Sequence, residues 1–203
     1  PSRQYDLNNI IRCLTTLGWD NHYITRSIQT GTCIMKLTAP CSPIDFSSKD
    51  IYGNPIRLSH YAGKKILLAF FRDAACPFCN LRLYELTNQY KTLQAANVEV
   101  IAVFSSTAEE VRHFVARHPR PFILLSDPDL QLYERYGIEQ SAMAIVKAIL
   151  LRLPRIVSGL LKGGTGDTKN PHIKLVPADF LISEQGEIQL AWYGRHTSDH
   201  IPM

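Results

Sequence analysis

Cysteine is scarce in this chain: five residues in 203. That odd, scattered set is too thin for a disulfide-stapled scaffold of the secreted kind. Long apolar runs are also missing. None approaches the ~20 uncharged residues that span a bilayer, so no membrane role is expected. Asp6, Asn8, Asn9 and Arg12 interrupt any apolar stretch near the N-terminus, which argues against a cleaved leader and for a cytoplasmic setting. Nor does one sign of charge dominate. Lys+Arg 22 against Asp+Glu 18 leaves +4, too mild and too dispersed to attract nucleic acid. Gly163-Gly164-Thr165-Gly166-Asp167 lacks the spacing of a phosphate-binding loop, and there is no internal repeat. What is present is ordinary globular matter. Apolar residues at 45% and charged residues at 20% supply a core and exclude general disorder. The length predicts one core with an extension or an insertion.

Residues 1–36 read as an N-terminal extension, polar and weakly periodic. The pattern sharpens from Leu37. Ala39 to Phe46 and Tyr52 to Leu58 suggest a hairpin turned on Gly53-Asn54. Ile66–Phe71 is an unbroken apolar run, as a strand buried on both faces requires. Leu83, Leu86, Tyr90 and Leu93 then form one stripe of a helix. Val98–Phe104 predicts a second buried strand, and Thr107-Ala108-Glu109-Glu110 a helix start with Val111, Phe114 and Val115 inward. Phe122–Leu125 predicts a third strand, and Leu130–Tyr136 a short helix closed by Gly137. Ala178–Ile182 and Ile188–Trp192 predict a terminal hairpin. The alternation implies an α/β sheet with parallel central strands and an antiparallel edge. Residues 138–176 form a helical insertion. Within it Lys147, Arg155 and Lys162 fall within about 80° of one another on a helical wheel. That basic stripe fits either a lid or assembly surface, or a solvated face.

The chemistry centres on Cys76-Pro77-Phe78-Cys79, directly after a predicted buried strand and opening a helix. Two cysteines three apart in a first helical turn lie on the same side, close enough to exchange between dithiol and disulfide. Unpaired N–H groups at the helix start favour thiolate over thiol. Pro77 suits the first helical position, where its missing donor costs nothing. Arg72 and Arg82 add positive charge nearby, in directions the sequence does not reveal. A zinc site needs two more ligands, and neither a second Cys-x-x-Cys nor a His-x-x-x-His occurs. His113 and His118 read as surface residues. A purely structural buried pair is the remaining alternative.

The segment Phe70-Phe71-Arg72-Asp73-Ala74-Ala75-Cys76-Pro77-Phe78-Cys79-Asn80-Leu81-Arg82-Leu83 resembles the active-site segment of peroxiredoxin-like proteins. These form the alkyl hydroperoxide reductase/thiol-specific antioxidant branch of the thioredoxin superfamily. Ala39-Pro40, the stretch Leu58 to Lys64, and Pro177-Ala178-Asp179-Phe180-Leu181-Ile182 support the resemblance, which covers residues 37–203. It implies a thioredoxin-like fold: a central mixed sheet flanked by helices, with an N-terminal hairpin and the helical insertion before the last hairpin. It also implies antioxidant redox chemistry, no cofactor and no metal. The expected partners are a thiol reductant, such as a thioredoxin or glutathione system, and a disulfide or hydroperoxide substrate.

The family pattern is not followed throughout. Typical members carry Thr or Ser three residues before the peroxidatic cysteine, Pro seven before, and a distant Arg. Alignment on Cys79 puts Cys76 at the Thr, Arg72 at the Pro, and Pro177 at the Arg. Dithiol proteins of the superfamily hold a proline at that last place, cis and beside the Cys-x-x-Cys. The resemblance therefore implies a cis Val176–Pro177 bond in contact with Cys76, exposing a backbone edge to substrate; an ordinary trans proline entering an edge strand is the alternative. The implied reaction is thiol–disulfide exchange, with the more exposed Cys76 attacking and Cys79 resolving. Two alternatives stay open: a thiol peroxidase in which Cys79 or Cys76 becomes a sulfenic acid, and a redox switch without turnover. Cys41 would be a resolving thiol only if the hairpin covered the site. Cys13, Cys33 and the terminal Asp199-His200-Ile201-Pro202 receive no role.

Overall fold

A computed structural model describes residues 36–116, 118–140, 172 and 174–202. The N-terminal extension up to residue 35 and the basic-striped helix pair of residues 142–162 lie outside the described residues. The elements run β1 (Ser47–Lys49), β2 (Pro55–Arg57), a 3-10 turn (Leu58–Tyr61), β3 (Lys65–Phe71), α1 (Pro77–Ala95), β4 (Val98–Phe104), α2 (Ala108–Val115), β5 (Ile123–Ser126), α3 (Gln131–Arg135), β6 (Ala178–Ile182) and β7 (Ile188–Tyr193).

The main sheet has the order β5-β4-β3-β6-β7. Strands β3, β4 and β5 are parallel, and β6 and β7 add antiparallel to β3. The unbroken apolar runs follow from burial on both faces. Leu67, Ala69 and Phe71 of β3 pack with α1 and α2, while Ile66, Leu68 and Phe70 pack with α3 and the N-terminal segment. Alternation with period two thus builds two cores on one sheet.

Helix α1 buries the expected stripe of Leu83, Leu86, Tyr90 and Leu93. Asn97, at φ +60°, turns the chain from its end into β4. Thr107 caps α2 in a reciprocal box with Glu110, satisfying two helix-end donors that otherwise lack partners. The hairpin is shorter than expected and starts later: Ser47 pairs with Arg57 and Lys49 with Pro55. Asp50 ties its turn together by accepting from the backbone N–H groups of Tyr52 and Asn54. Carboxylate closure of this kind is a local alternative to a tight two-residue turn.

Candidate active site

Strand β3 ends at Phe71, and the five residues to Cys76 turn the chain into α1. Three clamps hold that turn. The Asp73 carboxylate accepts from Ala75 N–H at 2.7 Å, and Ala74 N–H donates to Ser106 Oγ at 3.1 Å. Asn80 Nδ2 reaches back to the Ala74 carbonyl at 2.6 Å. The Ser105 hydroxyl donates to the Arg72 carbonyl, and the Tyr133 hydroxyl to the carbonyls of Phe71 and Val103. The loop after β4 and helix α3 therefore fix the same strand end from two sides.

Cys76 is the N-cap of α1 and Pro77 the first helical residue. Both placements agree with the expectation from spacing. Arg72 turns its guanidinium onto the thiol, with Nη2 2.7 Å from Cys76 Sγ. Burial alone would raise the Cys76 thiol. Hydrogen bonding from the Cys79 thiol, the Arg72 charge and the Cys79 backbone N–H outweigh it and bring Cys76 down to about 6. Burial, the hydrogen bond with Cys76 and the neighbouring Cys76 charge push Cys79 well up. One cysteine is thus a thiolate at neutral pH and the other a protonated donor to it.

Two expectations need correction. Cys76 is not the more exposed cysteine, since both retain 1% of their surface. Ala74 and Ala75 of the clamped turn are buried with it, so Cys76 has the charge environment of a nucleophile without open access. The Val176–Pro177 bond is not cis: among the described residues the single cis bond is Ala39–Pro40. Pro177 instead continues the β6–β7 ladder, its carbonyl accepting from Gly194 N–H at 2.8 Å. It is buried at the head of β6. Because Ala178 pairs with Phe70, that head lies at the same end of the sheet as the cysteines.

Cys41 pairs with Ile188 at the start of β7 and packs with the core on the opposite face. Ile188 adjoins Ile182, which pairs with Ile66. Strand rise puts that end about 16 Å from Phe71. Cys41 is therefore outside this site. Arg82 lies 4.0 Å from Asp179 and 3.7 Å from Glu85.

The residues that sequence reasoning passed over are Asp73, Asn80, Ser105 and Ser106, which shape the turn, and the buried pair Asp179 and His200. Asp179 carried a readable signal: a lone carboxylate within the apolar strand Ala178–Ile182 is costly to bury without a partner. His200 Nδ1 lies 2.9 Å from Asp179 Oδ1, and Ile201 N–H donates to Oδ2 at 2.7 Å. Burial would raise the Asp179 carboxyl, but the His200 and Arg82 charges and these hydrogen bonds hold it below the usual carboxylate range. Among the described residues no group of three or more His, Cys, Asp or Glu side chains is arranged to hold a metal ion.

The AhpC/TSA family profile matches residues 41–191. Peroxiredoxin Bcp of Escherichia coli (strain K12) is 26% identical over 153 residues, 74% of this chain and 92% of that protein. The chloroplastic peroxiredoxin Q of Sedum lineare is 25% identical over 111 residues, 55% of this chain but only 60% of that protein. Among solved structures, peroxidoxin BcpB of Mycobacterium tuberculosis superposes with a TM-score of 0.59 at 14% identity, covering 79% of this chain and 88% of that one. Likeness at that identity speaks to the fold, which is thioredoxin-like, as the order of strands and helices indicates.

Proposed function

Since the chain belongs to the AhpC/TSA family, we propose that Cys76 is its attacking thiolate, Cys79 its resolving thiol, and thiol–disulfide exchange its reaction. The protein is a thiol-dependent oxidoreductase of the peroxiredoxin-like kind, drawing on a thiol reductant. One observation carries the division of labour: Arg72 donates to the Cys76 sulfur at 2.7 Å, while Cys79 is held protonated beside it.

The steps balance as follows. The Cys76 thiolate attacks a substrate disulfide, forming a Cys76–substrate disulfide and expelling one substrate thiolate. Cys79 loses its proton and attacks the Cys76 sulfur, which forms the Cys76–Cys79 bond and expels the second substrate thiol. An external thiol pair, of the thioredoxin or glutathione type, then reduces the internal disulfide and takes up its oxidising equivalents. A reducing cytoplasmic setting suits a dithiol that must be returned to this state.

A second reading rests on the same pair. Arg72 also stands where negative charge develops when Cys76 attacks a hydroperoxide, giving a Cys76 sulfenic acid and an alcohol. Condensation with Cys79 then releases water and forms the same disulfide. Either reaction requires turnover. Catalytic reduction of a small disulfide or a hydroperoxide, with a thiol reductant regenerating the protein over many cycles, is the expected result. Oxidation that stops at one equivalent per chain would instead favour a redox switch.

A further inference from the structure

The exchange reading leaves one proton without a carrier. Cys79 has 1% of its surface exposed and must lose its proton before it can attack, yet the charge beside it, Arg72, is a cation that already serves Cys76.

Among the described residues, the cysteine face of the sheet holds a buried carboxylate–imidazole pair, Asp179 and His200. Asp179 pairs with Ala69 across β3 and β6, so its carboxylate shares the face with Ala69 and Phe71, under α1. Arg82, 4.0 Å from it, lies one helical turn beyond Cys79. His200 sits beside this carboxylate, with its ring 4.9 Å from that of Phe71, the last residue of β3 and the neighbour of Arg72. An ionised carboxylate only accepts hydrogen bonds, so Nδ1, at 2.9 and 3.1 Å from its two oxygens, carries the proton. In the neutral form of the ring, Nε2 is the acceptor atom. That atom is buried without a hydrogen-bond partner among the described residues, in a side chain with 5% of its surface left. Buried polar atoms ordinarily find partners. Thr197 Oγ1, three residues earlier in the same loop, is buried and unpartnered too. The loop is fixed at the cysteine end of the sheet: Gly194 N–H donates to the Pro177 carbonyl at 2.8 Å and Trp192 Nε1 to the Asp199 carbonyl at 3.1 Å.

We propose that His200, oriented by Asp179, is the base that accepts the Cys79 thiol proton in the resolving step. This rests on the exchange reading. The Cys79 S–H bond breaks and its proton moves to Nε2. The Cys79 thiolate attacks the Cys76 sulfur, the Cys76–substrate bond breaks, and the departing substrate thiolate takes the proton back from the imidazolium. The charged groups facing His200 are Asp179 on β6 and Arg82 on α1, the latter shared with Glu85.

The test separates the two steps. Reduced protein is mixed in a stopped-flow instrument with an aromatic disulfide whose thiolate is coloured. Attack by Cys76 releases one equivalent of colour, and resolution by Cys79 releases a second. In His200→Ala and His200→Gln the first phase is expected to persist, with the second slowed about a hundredfold, the usual worth of a general base. The remaining rate should climb in proportion to hydroxide, and added imidazole should restore His200→Ala but not His200→Gln. A second phase at the wild-type rate in both variants would overturn the proposal. So would equal slowing of both phases with a lowered melting temperature and no imidazole rescue, which marks a structural residue. A wild-type protein that releases no first equivalent would instead refute the exchange reading, and this proposal with it.

Discussion

Arg72 Nη2 lies 2.7 Å from Cys76 Sγ, across a strand–helix junction only five residues long. Both side chains are buried, so little solvent screens the pair and the attraction is stronger than on a surface. Arg72→Met keeps most of the buried stem and removes the charge. The Cys76 thiol should then return toward the ordinary thiol range. Iodoacetamide alkylation at pH 7 should slow by roughly a hundredfold as the thiolate fraction falls. A rate within a factor of three of wild type would show that the helix start, rather than Arg72, holds the thiolate.

Stability should follow the same ionisation. Cys76 takes its ordinary value of 9.0 in the unfolded chain and about 6 when folded. Between those values the unfolded state binds the extra proton, so stability rises with pH. The contribution is complete above pH 9 and is lost as pH falls through about 6. Cys79, shifted the opposite way, acts only at higher pH, where it reverses the trend. Melting temperatures of the reduced protein and of Cys76→Ser, measured from pH 6 to 9, should diverge in favour of the native chain as pH rises. A constant gap would contradict a buried thiolate.

Cys41 tests the placement from the other side. It pairs with Ile188 on the face of the sheet away from the dithiol. Cys41→Ser should leave the rate and stoichiometry of disulfide reduction unchanged, and mass spectrometry of the oxidised protein should find only the Cys76–Cys79 bond. A disulfide from Cys41 to either cysteine would require a different arrangement of the N-terminal segment.

Gly194 is where the final loop meets Pro177. A Cβ there would lie 2.6 Å from the Asp199 carbonyl oxygen and 2.8 Å from that of Pro177. Both are backbone atoms that cannot swing aside. Gly194→Ala should destabilise the protein by about 1–3 kcal/mol, in the range of other overpacked sites. It should also disturb the loop that carries His200. An unchanged melting temperature would mean the loop is free to shift.

The sheet was legible because burial on both faces writes itself as uninterrupted apolar runs. The spans Val98–Phe104 and Ala178–Ile182 needed no adjustment, and Lys65–Phe71 differs by one residue. The Cys76-Pro77 helix start was legible because N-cap and first-turn positions are local chemistry. Tertiary directions were not. Arg72 is four residues from the motif and Arg82 three, yet it is Arg72 that donates to Cys76; the carboxylate beside Arg82 lies on β6, beyond the insertion. His200 and Asp179 are 21 residues apart and meet only once β7 folds back. The Cys76 burial was missed because it depends on a turn held by Asp73 and, from the loop after β4, by Ser106. The cis bond expected before Pro177 came from family resemblance, whereas the residue itself simply extends a ladder.

The central claim is that Cys76 attacks and Cys79 resolves. Its most direct test treats Cys76→Ser and Cys79→Ser with an aromatic disulfide, and separately with hydrogen peroxide plus a sulfenic-acid trap, and locates each adduct by mass spectrometry. The account predicts a stable mixed disulfide at Cys76 in Cys79→Ser, any trapped sulfenic acid at Cys76 alone, and slow reaction of Cys76→Ser with either reagent. Rapid trapping at Cys79 in Cys76→Ser would contradict it.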